Sequence, residues 1–181
     1  MKKIIILLAI TAFVFQTNAQ KINWISLEKA VELQKTNPKK IMMDMYAVWC
    51  GPCKMLDKNT FQNKSVAAYV NKNYYAVKFN AEGNEEISFK DKIFTNPNYN
   101  PKKARGRNSG HELSAYFGVR AYPTIVFLDE KADFIAPIPG YKTPKQLELF
   151  LKLFESDAYK EIKNKEDFVK YQESFQFKFT E

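Results

Sequence analysis

Apolar positions recur along this chain in two rhythms. Spacings of three and four residues mark helices. Leu27, Ala30, Val31 and Leu33 form one stripe behind a capping Ser26, and Val66, Tyr69 and Val70 form another behind Ser65. The first ends at Asn37-Pro38, because the residue before a proline avoids helical geometry. Residues 144–154 predict a further helix, with Thr143 as cap, Pro144 at the first position and Gln146 nearby. Another starts at Asn108 or Ser109, runs to Phe117 and stops at Gly118. Short apolar runs mark strands. Residues 41–48, with the single charge Asp44, read as a buried central strand, and 74–79, 124–128 and 134–138 as three more. Residues 50–58 open a helix directly after the first of these, and Pro52 falls in its first turn, where a missing N–H costs nothing. Strand–helix–strand segments followed by a strand pair and a helix predict an α/β three-layer domain, without internal repeats.

Three stretches lie outside that pattern. Residues 83–109 are too long for an ordinary connection. From 92 to 108 they hold Lys92, Lys102, Lys103, Arg105 and Arg107 and no acid. They read either as a lip that favours acidic or anionic partners or as a solvated loop. Residues 157–181 carry Tyr159, Phe168, Tyr171 and Phe175 beyond the last predicted helix. Residues 1–19 read as an export signal: Lys2 and Lys3, an apolar run from Ile4 to Phe15 broken by Thr11, then Thr17, Asn18 and Ala19 before the cut. That run falls short of the roughly 20 apolar residues that span a bilayer. The competing readings are a buried helix or an uncleaved anchor.

Charge changes the picture little. The chain has 28 Lys and Arg against 20 Asp and Glu, a formal +8, which becomes 8 − 2 = +6 once Lys2 and Lys3 leave with the signal. The lysines are scattered and no nucleic-acid motif accompanies them, so a nucleic-acid partner is not expected. Cysteine usage changes it more. An exported protein of 181 residues with only Cys50 and Cys53 has a pair closing too small a loop to staple the fold well. The pair is better explained by chemistry. A zinc site would want four ligands, and beyond this pair the chain offers only His111 as a further soft donor. His111 itself reads as a first-turn helix residue beside Glu112 rather than a catalytic group.

The string Asp44-Met45-Tyr46-Ala47-Val48-Trp49-Cys50-Gly51-Pro52-Cys53-Lys54, set at a strand-to-helix junction, resembles thioredoxin closely. A thiolate attacks a disulfide, and a helix N-terminus stabilises the negative sulfur. Cys50 at that terminus is expected to be the exposed nucleophile, with its pKa lowered into the range of about 3.5–7.5. Cys53 inside the first turn would resolve the mixed disulfide, and Gly51 and Pro52 keep the turn tight. Trp49 either covers the flank of the site or simply packs.

The resemblance spans roughly residues 24–154 and implies a thioredoxin fold, a central mixed β-sheet flanked by helices. It implies further that Asp44 is the buried aspartate accepting the resolving cysteine's proton, and that Lys78 is the lysine approaching it. Otherwise Lys78 is an edge-of-strand surface lysine. It implies that Pro123, in Tyr122-Pro123-Thr124, is a cis-proline facing the cysteines, with the Tyr122 backbone open to an extended substrate strand. Gly140 matches a family glycine. The run from Asp44 through Lys54-Met55-Leu56-Asp57 to Thr60-Phe61 and Val66 is similar to one branch, the C-terminal periplasmic domain of the membrane thiol reductase DsbD. Asp57 stands where that branch has an acid near the cysteines, unless it is a solvated helix residue. Gly51-Pro52 departs from that branch and matches thioredoxin.

The expectation is therefore a periplasmic or secreted thiol–disulfide oxidoreductase. Its signal is 1–19, its thioredoxin-like domain 20–156 with the 83–109 insertion, and its helical extension, packed on the domain, 157–181. It needs no cofactor beyond the Cys50–Cys53 disulfide and no metal. The expected partners are protein disulfides as substrates and a membrane thiol reductase as electron donor, with no stable membrane anchor after signal removal. Reduction is the favoured direction. An oxidase or isomerase of the same fold, or a binding module without catalysis, are the alternatives.

Overall fold

The computed structural model describes residues 21–180, so the signal reading of 1–19 lies outside the described residues. The chain runs β1 (Trp24–Ile25), α1 (Leu27–Gln34), β2 (Lys40–Tyr46), α2 (Gly51–Leu56), α3 (Lys64–Asn73) and β3 (Tyr74–Asn80). It continues through β4 (Ile87–Phe89), β5 (Lys92–Phe94), α4 (Glu112–Tyr116), β6 (Thr124–Leu128), β7 (Phe134–Pro139), α5 (Pro144–Glu155) and α6 (Lys165–Ser174). The main sheet has the order β1-β3-β2-β6-β7. β3 is parallel to β1 and β2, while β6 is antiparallel to β2 and β7. This is the mixed sheet expected.

β2 lies at the centre and is covered on both faces, which is why it reads as an unbroken apolar run. Met42, Ala76, Ile125 and Phe127 face one layer, built with Val66 and Val70 of α3 and Leu147 and Leu151 of α5. Ile41, Met43, Met45, Val77 and Val126 face the other, built with Leu27 and Ala30 of α1 and Leu113 of α4. Pleat alternation then puts Asp44 on the α3–α5 side. The register sets it opposite Lys78.

Helix ends explain most departures from the sequence reading. Ser26 caps α1 as expected, its side chain accepting from Lys29 N. The buried position in the last turn of α1 is Gln34 rather than Leu33, because its amide donates to Lys39 O and Asp129 O at 2.6 and 2.8 Å. α3 is capped by Asn63, not Ser65: the Asn63 carboxamide oxygen accepts from Ser65 N and Val66 N. α4 starts at Glu112, not at Asn108 or Ser109, which are occupied by loop hydrogen bonds. Its cap is His111, whose Nδ1 accepts from Leu113 N at 3.1 Å. α4 closes at Gly118, whose φ of +67° is the left-handed geometry glycine tolerates. α5 begins with the full reciprocal cap between Thr143 and Gln146.

Residues 83–109 divide into a packed hairpin and, from 97 to 107, a largely exposed loop. β4 and β5 pair as a hairpin whose turn residues, Lys90 and Asp91, both have positive φ. Ile87, Phe89 and Phe94 complete the α1–α4 layer.

The C-terminal residues pack on the opposite layer. Phe168 stacks on Phe150 at 6.1 Å, and beyond α6 an extended tail buries Phe179 against Tyr69. The fully buried Glu148 holds this tail: its carboxylate accepts from Lys178 N and Phe179 N, each at 2.8 Å, and pairs with Lys152. Glu148→Ala would strand two amides and a half-buried ammonium. It is expected to destabilise the protein by about 3 kcal/mol. Urea unfolding checks the size, and faster hydrogen exchange at Phe179 locates it.

Candidate active site

β2 ends at Tyr46, and a tight turn, with Cys50 N donating to Ala47 O at 3.0 Å, brings the chain to α2. Cys50 is the N-cap of α2, extended in backbone, and Pro52 occupies the first turn. Cys50 and Cys53 are joined in a disulfide with their Cα atoms 5.3 Å apart. α2 does not end as an ordinary helix. Asp57–Phe61 continue it as a π-helical turn that buries Thr60 and Phe61 and places Asp57 beside the cysteine helix.

The expectation of an exposed Cys50 is not met in this disulfide state. Cys50 is 1% exposed and Cys53 5%. The physical reason is the cap itself: Cys50 Sγ turns inward to accept the Cys53 N–H at 3.1 Å. Around the pair pack Ala47, Tyr46, Trp49 and Tyr122. Gly51 and Pro52 remain on the surface.

Behind the disulfide, a cleft of about 210 Å³ joins Cys53 and Lys54 to Asp44, Asp57 and Lys78. Asp44 is 1% exposed, and its Oδ1 accepts no hydrogen bond among the described residues. Burial pushes its carboxyl up to about 7, with Lys78 pulling it down and Asp57 adding to the rise. Lys78 Nζ lies 3.9 Å from Asp44 Oδ2, pairs with Asp57, and sits over the rings of Trp24 and Tyr46 at 5.3 and 5.5 Å. Lys78 is thus paired within the cleft, and Asp57 pairs with it while its own side chain stays partly exposed. The cleft is roomy enough for water to bridge its polar walls. A carboxyl with such a value can take up and release a proton near neutral pH.

The Tyr122–Pro123 bond is cis. Pro123 O accepts from Gly140 N at 2.8 Å, and Gly140 has a φ of +82°. Tyr122 meets Trp49 edge-on, with centroids 6.2 Å apart.

Trp49 is held from a direction the sequence reading missed. Its Nε1 donates to Glu82 Oε2 at 2.7 Å, and the same oxygen accepts from Asn108 N at 2.8 Å. The Arg107 guanidinium lies 4.2 Å above the indole. Glu82 and Arg107 therefore belong to the site. A lone acid after a strand and one arginine among several cations carry no spacing signal. His111, by contrast, is structural: besides capping α4, its Nε2 reaches Glu85 O at 2.7 Å, and its ring stands against Phe79. With Nδ1 accepting, Nε2 carries the proton.

A dithiol in this position can exchange with another disulfide: one sulfur attacks, and the second closes the ring again. Known proteins share this fold. The thioredoxin-like domain family matches residues 27–155. The thiol:disulfide interchange protein DsbD of Vibrio vulnificus is 37% identical over 59 residues, which cover 29% of this chain and 10% of that protein. The chain thus spans about a tenth of the length of this curated relative. Among solved structures, a thioredoxin-fold protein from Helicobacter pylori matches with a TM-score of 0.56 and 22% identity, covering 76% of this chain and 82% of that one. A Bacteroides thetaiotaomicron protein provisionally described as a disulphide isomerase matches with a TM-score of 0.51 and 25% identity, covering 75% and 93%. The chain belongs to the thioredoxin-like family, with the Cys50–Cys53 disulfide at the start of α2.

Proposed function

We propose that this protein is exported to the periplasm and reduces disulfides of proteins there. In the reduced protein the Cys50 thiolate attacks one sulfur of a substrate disulfide, forming a mixed disulfide and releasing the first substrate thiolate. Cys53 then loses its proton to the Asp44 carboxylate and attacks Cys50 Sγ. This closes the Cys50–Cys53 disulfide and expels the second substrate thiolate, which takes up a proton. Two electrons pass from the protein to the substrate. A membrane-held dithiol of the DsbD kind returns them.

The observation that carries this reading is the cleft that Cys53 shares with the buried Asp44, where burial pushes the carboxyl up to about 7. A proton acceptor of that strength suits a thiol that must ionise during each turnover. Gly51-Pro52 between the cysteines supports the reducing direction, since thioredoxin itself, with that dipeptide, has a potential of about −270 mV. The basic, apolar and small-residue order of 1–19 supports export. Among the described residues no helix is long and apolar enough to cross a membrane.

The test is a stoichiometric reaction. Pre-reduced protein mixed with insulin, without other thiols, is expected to break one insulin disulfide for each Cys50–Cys53 disulfide formed. Protein recovered from exporting cells is expected to begin at Gln20. Failure to release insulin thiols removes the exchange reading, and faster oxidation of a dithiol by the oxidised protein reverses its direction.

A further inference from the structure

The closed loop between Asn100 and Asn108 has no counterpart in the chemistry just described. Its neck is tied twice: Asn100 N donates to Asn108 Oδ1 at 2.8 Å, and Asn108 Nδ2 donates back to Asn100 O at 2.9 Å. Inside the loop, Lys103 N and Gly106 N bond to Asn100 O and Lys103 O, both at 2.9 Å. The neck is then anchored to the active site, because Asn108 N and the Trp49 indole share one oxygen of Glu82. What this anchored loop displays is charge of one sign. Lys102, Lys103, Arg105 and Arg107 are exposed, and the loop contains no acid. Arg107 is laid over Trp49, the neighbour of Cys50.

Other cations continue the same sign around the disulfide. Lys54 lines the cleft beside Cys53, and Arg120 is exposed two residues before Tyr122. Of the nearby acids, Asp44 is buried and Asp57 pairs with Lys78 in the cleft, Glu82 is committed to Trp49 and Asn108, and Glu85 and Glu86 are exposed before β4. Lysine and arginine side chains are costly to hold still and repel one another. Four of them on a tied loop, with Arg107 against the site, form a fixed positive field where a substrate disulfide must arrive.

We infer that the loop from Asn100 to Asn108 is a substrate-selecting lip, which favours disulfides flanked by aspartate and glutamate in the protein being reduced. The inference rests on the exchange reading above and names its substrate class. An acidic segment is drawn in by the field and pairs with the loop while its disulfide meets Cys50. A basic segment is held off. The occupant is a polypeptide rather than a lipid surface, because the positive loop adjoins the redox pair, and only a disulfide-bearing partner has reason to dock there.

Three peptides with the same disulfide loop, flanked by acidic, neutral or basic residues, test this with the purified, reduced protein. At low ionic strength the acidic peptide is expected to be reduced about tenfold faster than the neutral one, and the basic peptide more slowly than either. At 1 M salt, where charges are screened beyond about 3 Å, the three rates should converge. The triple variant Lys102→Glu/Lys103→Glu/Arg105→Glu should invert the order while leaving the neutral peptide's rate unchanged. A matched variant on α5 and α6, Lys145→Glu/Lys165→Glu/Lys170→Glu, should keep the order of the parent protein.

Equal rates for all three peptides would overturn the lip while leaving exchange intact. Inversion by the α5–α6 variant would overturn it in favour of bulk charge. Equal rates together with loop-dependent binding to phosphatidylglycerol vesicles would overturn it in favour of a lipid contact. No exchange with any peptide in either direction would remove the lip and the exchange reading together.

Discussion

Cys50→Ser is expected to lower reduction of a protein disulfide to the uncatalysed background, a loss of at least about 10³-fold. A serine hydroxyl stays protonated at neutral pH, whereas a cysteine thiol at a helix N-cap ionises readily. Cys53→Ser has a different signature. The first attack by Cys50 still occurs, but nothing closes the ring, so a mixed disulfide with substrate accumulates and appears as a slow band on a non-reducing gel. Trapping by Cys53→Ser but not by Cys50→Ser assigns nucleophile and resolving group. Cys50 is buried in the disulfide form, with its sulfur turned onto Cys53 N. Opening of the pair on reduction must therefore release that sulfur, and the mass of the alkylated reduced protein should show Cys50 modified first. Equal alkylation of both cysteines would contradict this order.

Asp44→Asn is expected to stabilise the protein and slow it. The Asp44 carboxyl rises from 3.8 to about 7 on folding. Between those values the folded state holds a proton that the unfolded state has lost, so stability falls as pH rises through this window. The full difference is about 4 kcal/mol, reached above pH 7. Asn removes the buried charge. The variant should match the parent protein near pH 3.5 and exceed it by about 4 kcal/mol at pH 8 in urea unfolding.

The same substitution removes the proton acceptor for Cys53. Turnover should drop by about 10²-fold, and the inflection near pH 7 should vanish from its pH profile. Lys78→Met should move that inflection up and Asp57→Asn should move it down, because Lys78 lowers and Asp57 raises the Asp44 value. A stability gain without loss of rate would leave Asp44 a buried acid with no part in the chemistry.

Where the chain states its structure locally, the sequence was readable. The strand around Asp44, the helix opening at Pro52 and the capping box at Thr143-Gln146 each rest on neighbouring residues, and each is present. Features set by distant contacts were hidden. β1 has two residues, too few for a period, and exists because β3 offers an edge. The β4–β5 hairpin turns on Lys90-Asp91 rather than on the glycine or asparagine that normally marks such a turn. Asn63 displaced Ser65 as cap because it stands one step outside the helix with an extended backbone. The site divides in the same way. Cys50, Cys53 and their flanks announce themselves as a string, and the family resemblance pointed to Asp44 and Lys78, which share the cleft with Cys53, and to Pro123, whose bond is cis. Glu82 and Arg107 reach Trp49 from across the sheet and from the insertion, and only the folded chain brings them there.

The claim on which the account turns is that electrons leave Cys50 and Cys53 for a substrate disulfide. The measurement is the reduction potential of that pair in the purified protein, equilibrated against graded dithiothreitol or glutathione buffers. A value near thioredoxin's, about −270 mV, is the result predicted for a reductase supplied by a membrane dithiol. A value above about −180 mV, in the range of disulfide isomerases and oxidases, would contradict it.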